Sequence, residues 1–278
     1  MRQTCIFLFS LFVLSPLWAT PTDDGRFVLP SVPDSLTDSR ARLNYTLEHF
    51  WETYAFADTT AANQSVGEEG FANFARLLQL ADTATSARAI ALYLQGAFAH
   101  ESLRTRYEEL IERYLFEPAS PLRNDVAYAC FLRQMLPYYG ETEAAQRARA
   151  ADHLLQVTKN QPGQVAADFT FTDSDGHAQT LHQVAAELTV MVFYDPDCDR
   201  CQQLLPQLQG EPLLQRHGIR VLLVNTALDT APHQLYYLPS LPSIYLLDRR
   251  KRVLLKDVPF DTLLKVVERW FRVYGSHE

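Results

Sequence analysis

Residues 188 to 206 read LTVMVFYDPDCDRCQQLLP. A short apolar run with the pattern of a buried strand leads directly into a helical stretch, and two cysteines three residues apart sit at the junction. A strand that delivers its end to the start of a helix belongs to an α/β layer. Cysteine is otherwise scarce: the chain of 278 residues has four, Cys5, Cys130, Cys198 and Cys201. A scaffold held by disulfides would be shorter and denser in cysteine. The close pair therefore needs an explanation other than holding the fold together.

Three explanations compete. A structural zinc site needs four ligands, usually from a second Cys or His pair. His217, His233 and Cys130 stand isolated, with no ligand spacing, so no metal is expected. A disulfide clip would close a very short loop, and the entropic gain from a crosslink grows with loop length, so a clip here adds little. The redox explanation has a mechanism. Cys198 falls at a helix N-terminus, where unpaired backbone N–H groups favour the thiolate. Cys201 lies one turn along on the same side and can attack a mixed disulfide formed by Cys198. Arg200 adds positive charge beside the pair, while Asp195, Asp197 and Asp199 oppose it. Asp197, Asp199 and Arg200 are thus the expected tuning residues of the thiol.

The rest of the chain divides into two grammars. Residues 34 to 158 carry apolar residues at helical spacing, as in Leu43, Leu47, Phe50, Trp51 and Tyr54. Further helical stretches are expected near 68–80, 84–99, 101–115, 122–138 and 142–158. Asp82, Thr83 and Thr85 are candidate N-caps. Asn160-Gln161-Pro162-Gly163 marks a boundary. Beyond it Phe169 and Phe171 alternate with polar residues, Asp175-Gly176 signals a hairpin turn, and strands are expected at 188–194, 219–224, 243–247 and 253–256. Helices are expected at about 199–216 and 261–273, with a short amphipathic piece at 230–237.

The opening MRQTCIFLFSLFVLSPLWATP has a positive start, a short apolar run and Ala19 at a cleavage-like position, the pattern of a secretory leader over residues 1–19. The run is too short to span a bilayer, which takes about 20 apolar residues. The net charge is −8, and both halves carry more acids than bases, which argues against nucleic acid or an anionic membrane as partner.

In this setting the C-terminal half resembles the thioredoxin fold, closest to the exported TlpA/ResA-type thiol–disulfide oxidoreductases. The resemblance rests on the Cys198–Cys201 pair after a strand, on Pro206 five residues after Cys201, and on LPSIYLLD at 241 to 248. It covers about residues 161 to 275. It implies a cis-proline at Pro242 and a substrate groove at Leu241 and Pro242. The segment GQVAADFTFTDSDGHAQTL, 163 to 181, resembles the extra N-terminal hairpin of that branch. YLFEPASPLRNDVAYACFLRQML, 114 to 136, resembles a helical domain of unknown function that precedes thioredoxin-like domains in secreted bacterial proteins, which implies a Gram-negative envelope. Two departures stand out: Asp197 replaces the tryptophan before the first cysteine, and Val192 occupies the place of the buried carboxylate six residues before it.

The expected architecture is an α/β thioredoxin-like C-terminal domain, 161–278, preceded by an all-α N-terminal domain, 20–160. The expected function is a periplasmic thiol–disulfide oxidoreductase with Cys198 as nucleophile and Cys201 as resolving thiol. It would need no cofactor, would act on protein thiols or disulfides, and would depend on an external redox partner. The alternative is a binding module on a redox-quiet scaffold. Cys130 is expected to be a buried small hydrophobe, and Asp248-Arg249-Arg250-Lys251-Arg252 a solvated hairpin tip. Leu235 to Leu238 are expected in the core.

Overall fold

A computed structural model describes residues 26–172, 177–229 and 231–274. The expected leader at 1–19 and the expected turn at Asp175-Gly176 lie outside the described residues. Both expected grammars appear in the fold.

The first half is helical: α1 (Ser39–Glu48), α2 (Ala61–Leu78), α3 (Thr83–Ala97), α4 (Glu101–Leu115), α5 (Asp125–Met135) and α6 (Ala144–Val157). The starts are chemically marked. The side chains of Asp38, Thr60, Asp82 and Asn124 accept N–H groups of the first turns of α1, α2, α3 and α5, which satisfies donors that have no partner within the helix. Of the candidate caps before α3, Asp82 serves; Thr83 is already helical and Thr85 is buried. Helix α2 begins seven residues before the expected 68, because Thr60 caps it there and Gly67 and Gly70 are retained inside it. A Cβ on Gly70 would lie 2.3 Å from the Phe27 ring, so the missing side chain is what lets the ring approach. Phe27 stacks on Phe50 at 4.9 Å, and Trp51 meets Tyr93 edge-on at 4.9 Å. These rings form the centre of a core that runs from Leu47 to Val157.

The second half is built on a four-stranded sheet in the order β4-β3-β5-β6, from β3 (Leu188–Tyr194), β4 (Ile219–Asn225), β5 (Ser243–Asp248) and β6 (Val253–Leu255). A separate hairpin joins β1 (Thr170–Thr172) and β2 (Ala178–Thr180). Strands β3 and β4 run parallel, joined through α7 (Asp199–Gly210), whereas β5 and β6 are antiparallel. Side chains along β3 alternate between faces. Met191 and Phe193 pack with the hairpin and Tyr236. Val190 and Val192 pack with α7 and α9 (Phe260–Tyr274). The short α8 (Ala231–Leu235) matches the expected amphipathic piece. Helix α7 ends before the expected 216, since Pro212 starts a separate 3-10 turn.

Two expectations need correction. The charged tip is not uniformly solvated: Lys251 is 4% exposed, and its Nζ donates to Thr189 Oγ1 at 2.7 Å. Lys251 takes a positive φ, 59°, in the turn where Asp248 Oδ1 accepts the N–H groups of Arg250 and Arg252, so the backbone turns the side chain inward. Leu235 is exposed, whereas Tyr236 is buried in the sheet core, so the apolar run divides between the two environments. Cys130 is half-buried against the helical core, and its sulfur accepts from Gln134 Nε2 at 3.3 Å.

The halves are tied together. Asn160, itself buried, donates to Leu235 O at 2.9 Å and accepts from Ala167 N at 2.7 Å. Lys256 Nζ donates to Val157 O and lies 2.8 Å from Asp125 Oδ2. Arg123 pairs with Asp257, and Phe116 stacks on Tyr237 at 5.8 Å with ring planes 5° apart.

Candidate functional site

Strand β3 ends at Tyr194, whose carbonyl is held by Thr226 N and Oγ1. The next four residues form a tight turn. Asp195 O accepts Cys198 N–H at 3.1 Å, and Asp195 Oδ1 accepts Asp197 N–H at 2.8 Å. An aspartate side chain that bonds backbone two residues on is a standard device for reversing the chain. The turn delivers Cys198 to the N-cap of α7, with extended φ and ψ of −89° and 116°.

At that position the sulfur takes over the usual duty of a capping oxygen. Cys198 Sγ accepts Cys201 N–H at 3.4 Å. It also lies 3.6 Å from Leu241 O, to which the thiol donates. Cys198 is partly exposed and Cys201 fully buried, at 0%. All three described cysteines are free thiols. The peptide bond between Leu241 and Pro242 is cis. Pro206 lies inside α7, as expected.

The two thiols are driven in opposite directions. A hydrogen bond from the Cys201 thiol is the main cause lowering the Cys198 pKa. The backbone N–H groups of Cys201 and Arg200 and the Arg200 charge add to it. Cys201 is pushed up to about 11, first by burial and then by its hydrogen bond with Cys198. A partly exposed thiol of lowered pKa and a buried thiol of raised pKa behind it make an asymmetric pair. Of the expected tuning residues, Arg200 lowers the Cys198 pKa. Asp195 acts on Cys201 in both directions: its backbone hydrogen bond lowers that pKa and, less strongly, its charge raises it. The side chains of Asp197 and Asp199 face solvent. Val192 is fully buried against α7 and α9, so its position offers the pair no proton acceptor.

The structure also places near Leu241 and Pro242 residues that no sequence pattern groups with them. Ser243 Oγ donates to Asp257 Oδ1 at 2.7 Å, and Asp257 pairs with Arg123 of the helical half. Arg123 also reaches Asp125 at 3.1 Å. Burial opposes the Arg123 charge, but the two carboxylates outweigh it and raise its pKa. No spacing rule relates residues 123 and 257, so no sequence signal could have joined them. Among the described residues no cluster of His, Cys, Asp and Glu could hold a metal ion, and no helix is long and apolar enough to cross a membrane.

Comparison with known proteins places this geometry in context. Residues 142–255 match the F plasmid transfer operon protein family, TraF. A thioredoxin-like protein from Bacteroides caccae ATCC 43185 superposes with a TM-score of 0.79 at 22% identity, covering 87% of this chain and 98% of that one. The shared fold therefore includes both halves. A domain of a possible thiol-disulfide isomerase from Cytophaga hutchinsonii ATCC 33406 aligns at 22% identity and a TM-score of 0.37, over 43% of this chain and 99% of its own. The thioredoxin domain of a thiol-disulfide oxidoreductase from Bacteroides vulgatus aligns at 18% identity and a TM-score of 0.35, over 40% and 97%. No curated protein matches the chain. Residues 14–160 match the family described as a domain of unknown function, DUF5106. The chain belongs to the DUF5106 family, and its helical domain precedes an α/β domain of thioredoxin-like fold.

Proposed function

We propose that this protein is a thiol–disulfide oxidoreductase of the cell envelope that exchanges disulfides with other proteins. The observation that carries the reading is the asymmetric pair: Cys198 half-exposed at the start of α7 with its pKa lowered, and Cys201 buried beneath it with its pKa raised.

In the reducing direction the Cys198 thiolate attacks one sulfur of a client disulfide. A bond forms between Cys198 Sγ and that sulfur, and the other client sulfur leaves as a thiolate. Cys201 then loses its proton and attacks Cys198 Sγ, releasing the second client thiol. The client has gained two electrons, and the pair is left as a Cys198–Cys201 disulfide. The reverse sequence oxidises a client dithiol. An external dithiol or disulfide restores the pair in either case, since no second dithiol is described in the chain. Leu241 and Pro242 form the client-facing rim, and Leu241 O already holds the Cys198 thiol.

The export pattern at residues 1–19, the division near residue 160 and the likeness to TlpA/ResA-type enzymes belong to the same reading. The test is a trap. Cys201→Ser removes the resolving thiol, so mixed disulfides between Cys198 and envelope proteins should accumulate and disappear on reduction. No trapped species, together with no thiol–disulfide turnover by the intact protein, would leave the redox-quiet binding module as the better account.

A further inference from the structure

Between the two halves runs an open cleft of about 460 Å³ that begins at Pro242. Ligand clefts span about 300–1,000 Å³. One wall comes from the helical half, through Pro118, Pro121 and Val126. The other comes from the thioredoxin-like half, through Pro242, Val258 and Pro259. Leu241, whose carbonyl receives the Cys198 thiol, is the chain neighbour of Pro242. The cleft therefore begins one residue along the chain from the carbonyl that receives the Cys198 thiol.

Its charge pattern selects an occupant. Four ionisable side chains line it: Arg123, Asp125, Lys256 and Asp257. They pair with one another, Arg123 with both carboxylates and Lys256 with Asp125, and their side chains are 12%, 11%, 3% and 10% exposed. Two cations cancel two anions, and the Arg123 Nε that lacks a hydrogen-bond partner is itself buried, out of a guest's reach. Besides these pairs the lining is prolyl and aliphatic, interrupted by the uncharged side chains of Ser120, Asn124 and Ser240. A charged guest residue would lose its water and find no counter-ion, which is costly. An apolar one gains by leaving water.

Resting on the function proposed above, we propose that this cleft binds the client polypeptide through an uncharged, apolar stretch next to its reactive cysteine. The helical domain thereby supplies half of the substrate-recognition surface.

The test separates binding from chemistry. The probes are fluorescein-labelled peptides of about a dozen residues with serine at the cysteine position, flanked either by Leu, Val and Ala or by Asp and Glu. Anisotropy with the full chain should show the apolar probe bound at least ~10-fold tighter, a difference of about 1.4 kcal/mol. Val126→Glu puts a charge into the wall at an exposed first-turn position, where an acid suits the helix end. It should weaken the apolar probe ~10-fold. Pro118→Glu should do the same from the other end of the wall. Leu80→Glu, at a more exposed position outside the cleft lining, should leave binding unchanged. Equal binding of both probes, or wall variants that bind like wild type, would overturn the proposal. Selective binding without turnover of the matching peptide disulfide would sustain the cleft and remove the redox reading. Turnover of a small aromatic disulfide without selective peptide binding would do the reverse.

Discussion

The hydroxyl of Ser243 donates to Asp257 Oδ1 at 2.7 Å, directly after the Leu241–Pro242 bond. Asp257 in turn pairs with Arg123 at the start of α5. The helical half is thus wired by polar bonds to the strand that carries the rim of the candidate site. The helical half therefore bears on the geometry of the candidate site in the other half.

That link should be costly to break. Arg123→Ala leaves Asp257 and Asp125 facing each other in a largely buried site without their shared cation. Removing one partner of a buried pair costs about 3–5 kcal/mol. Urea unfolding should show a loss of that size, and the double variant with Asp257→Ala should lose less than the sum of the singles. Additive losses would mean that the pair is not coupled.

The asymmetry of the thiols predicts an order of alkylation. A thiol reacts as its thiolate, so the rate rises with pH through the thiol's own pKa. In a Cys130→Ser background, Cys198 should react with iodoacetamide with a midpoint below the ordinary thiol value of about 8.5. In Cys198→Ser, the remaining Cys201 should react slowly, with its midpoint still above the ordinary value, because burial is the largest cause of its shift. Mass spectrometry of the labelled protein across pH 5 to about 11 measures both, a span chosen to bracket the two values. Equal midpoints would remove the division of labour.

Gly67 offers a test of packing against propensity. Alanine in place of an interior helical glycine should add about 1 kcal/mol of helix stability. Here its Cβ would stand 2.1 Å from the Tyr54 hydroxyl, which bonds both the carbonyl and the side chain of Asn63. Overpacking costs about 1–3 kcal/mol, and displacing a bonded hydroxyl adds about 1 more. Gly67→Ala should therefore be net destabilising, by about 1–3 kcal/mol in chemical denaturation. A more stable variant would show that Tyr54 moves aside freely.

His153 should make the helical half sensitive to acid. Its ring stacks on Phe116 at 4.3 Å, its Nδ1 meets Tyr128 Oη at 2.9 Å, and burial lowers its pKa. The unfolded chain takes up a proton near pH 6.5, before the folded one does. Stability is therefore full above that value, falls as pH drops through it, and levels off below the folded pKa. The thermal midpoint should drop between pH 7 and 5, by less in His153→Gln, and proton NMR should place the ring's titration below 6.5. A normal or raised His153 titration would contradict this.

Much of the molecule was legible in the chain. The apolar periodicity marked the helices between 39 and 157. Asp82 and the breaks at Pro118 and Pro121 marked ends, because caps and prolines act locally. The strand running into Cys198 was legible for the same reason: a mostly apolar run followed by helical spacing needs no distant partner to be recognised. Two misses trace to contacts with distant residues. Lys251 looked like surface until the turn swung it onto Thr189. Helix α2 began early because Phe27 and Tyr54 pack where Gly70 and Gly67 leave room.

The cysteine spacing, the preceding strand and the helix start are short-range facts, so the order of residues alone determined that a cysteine sulfur would sit at a helix's positive end. Only the tertiary structure decided that the carbonyl of Leu241 would face that sulfur and that Arg123 would reach Asp257. It also set a neutral, proline-walled cleft beside the pair. Those relations join residues 43 to 134 positions apart. Burial and charge pairing at such separations depend on how the sheet and the helical half pack, and no local pattern encodes them.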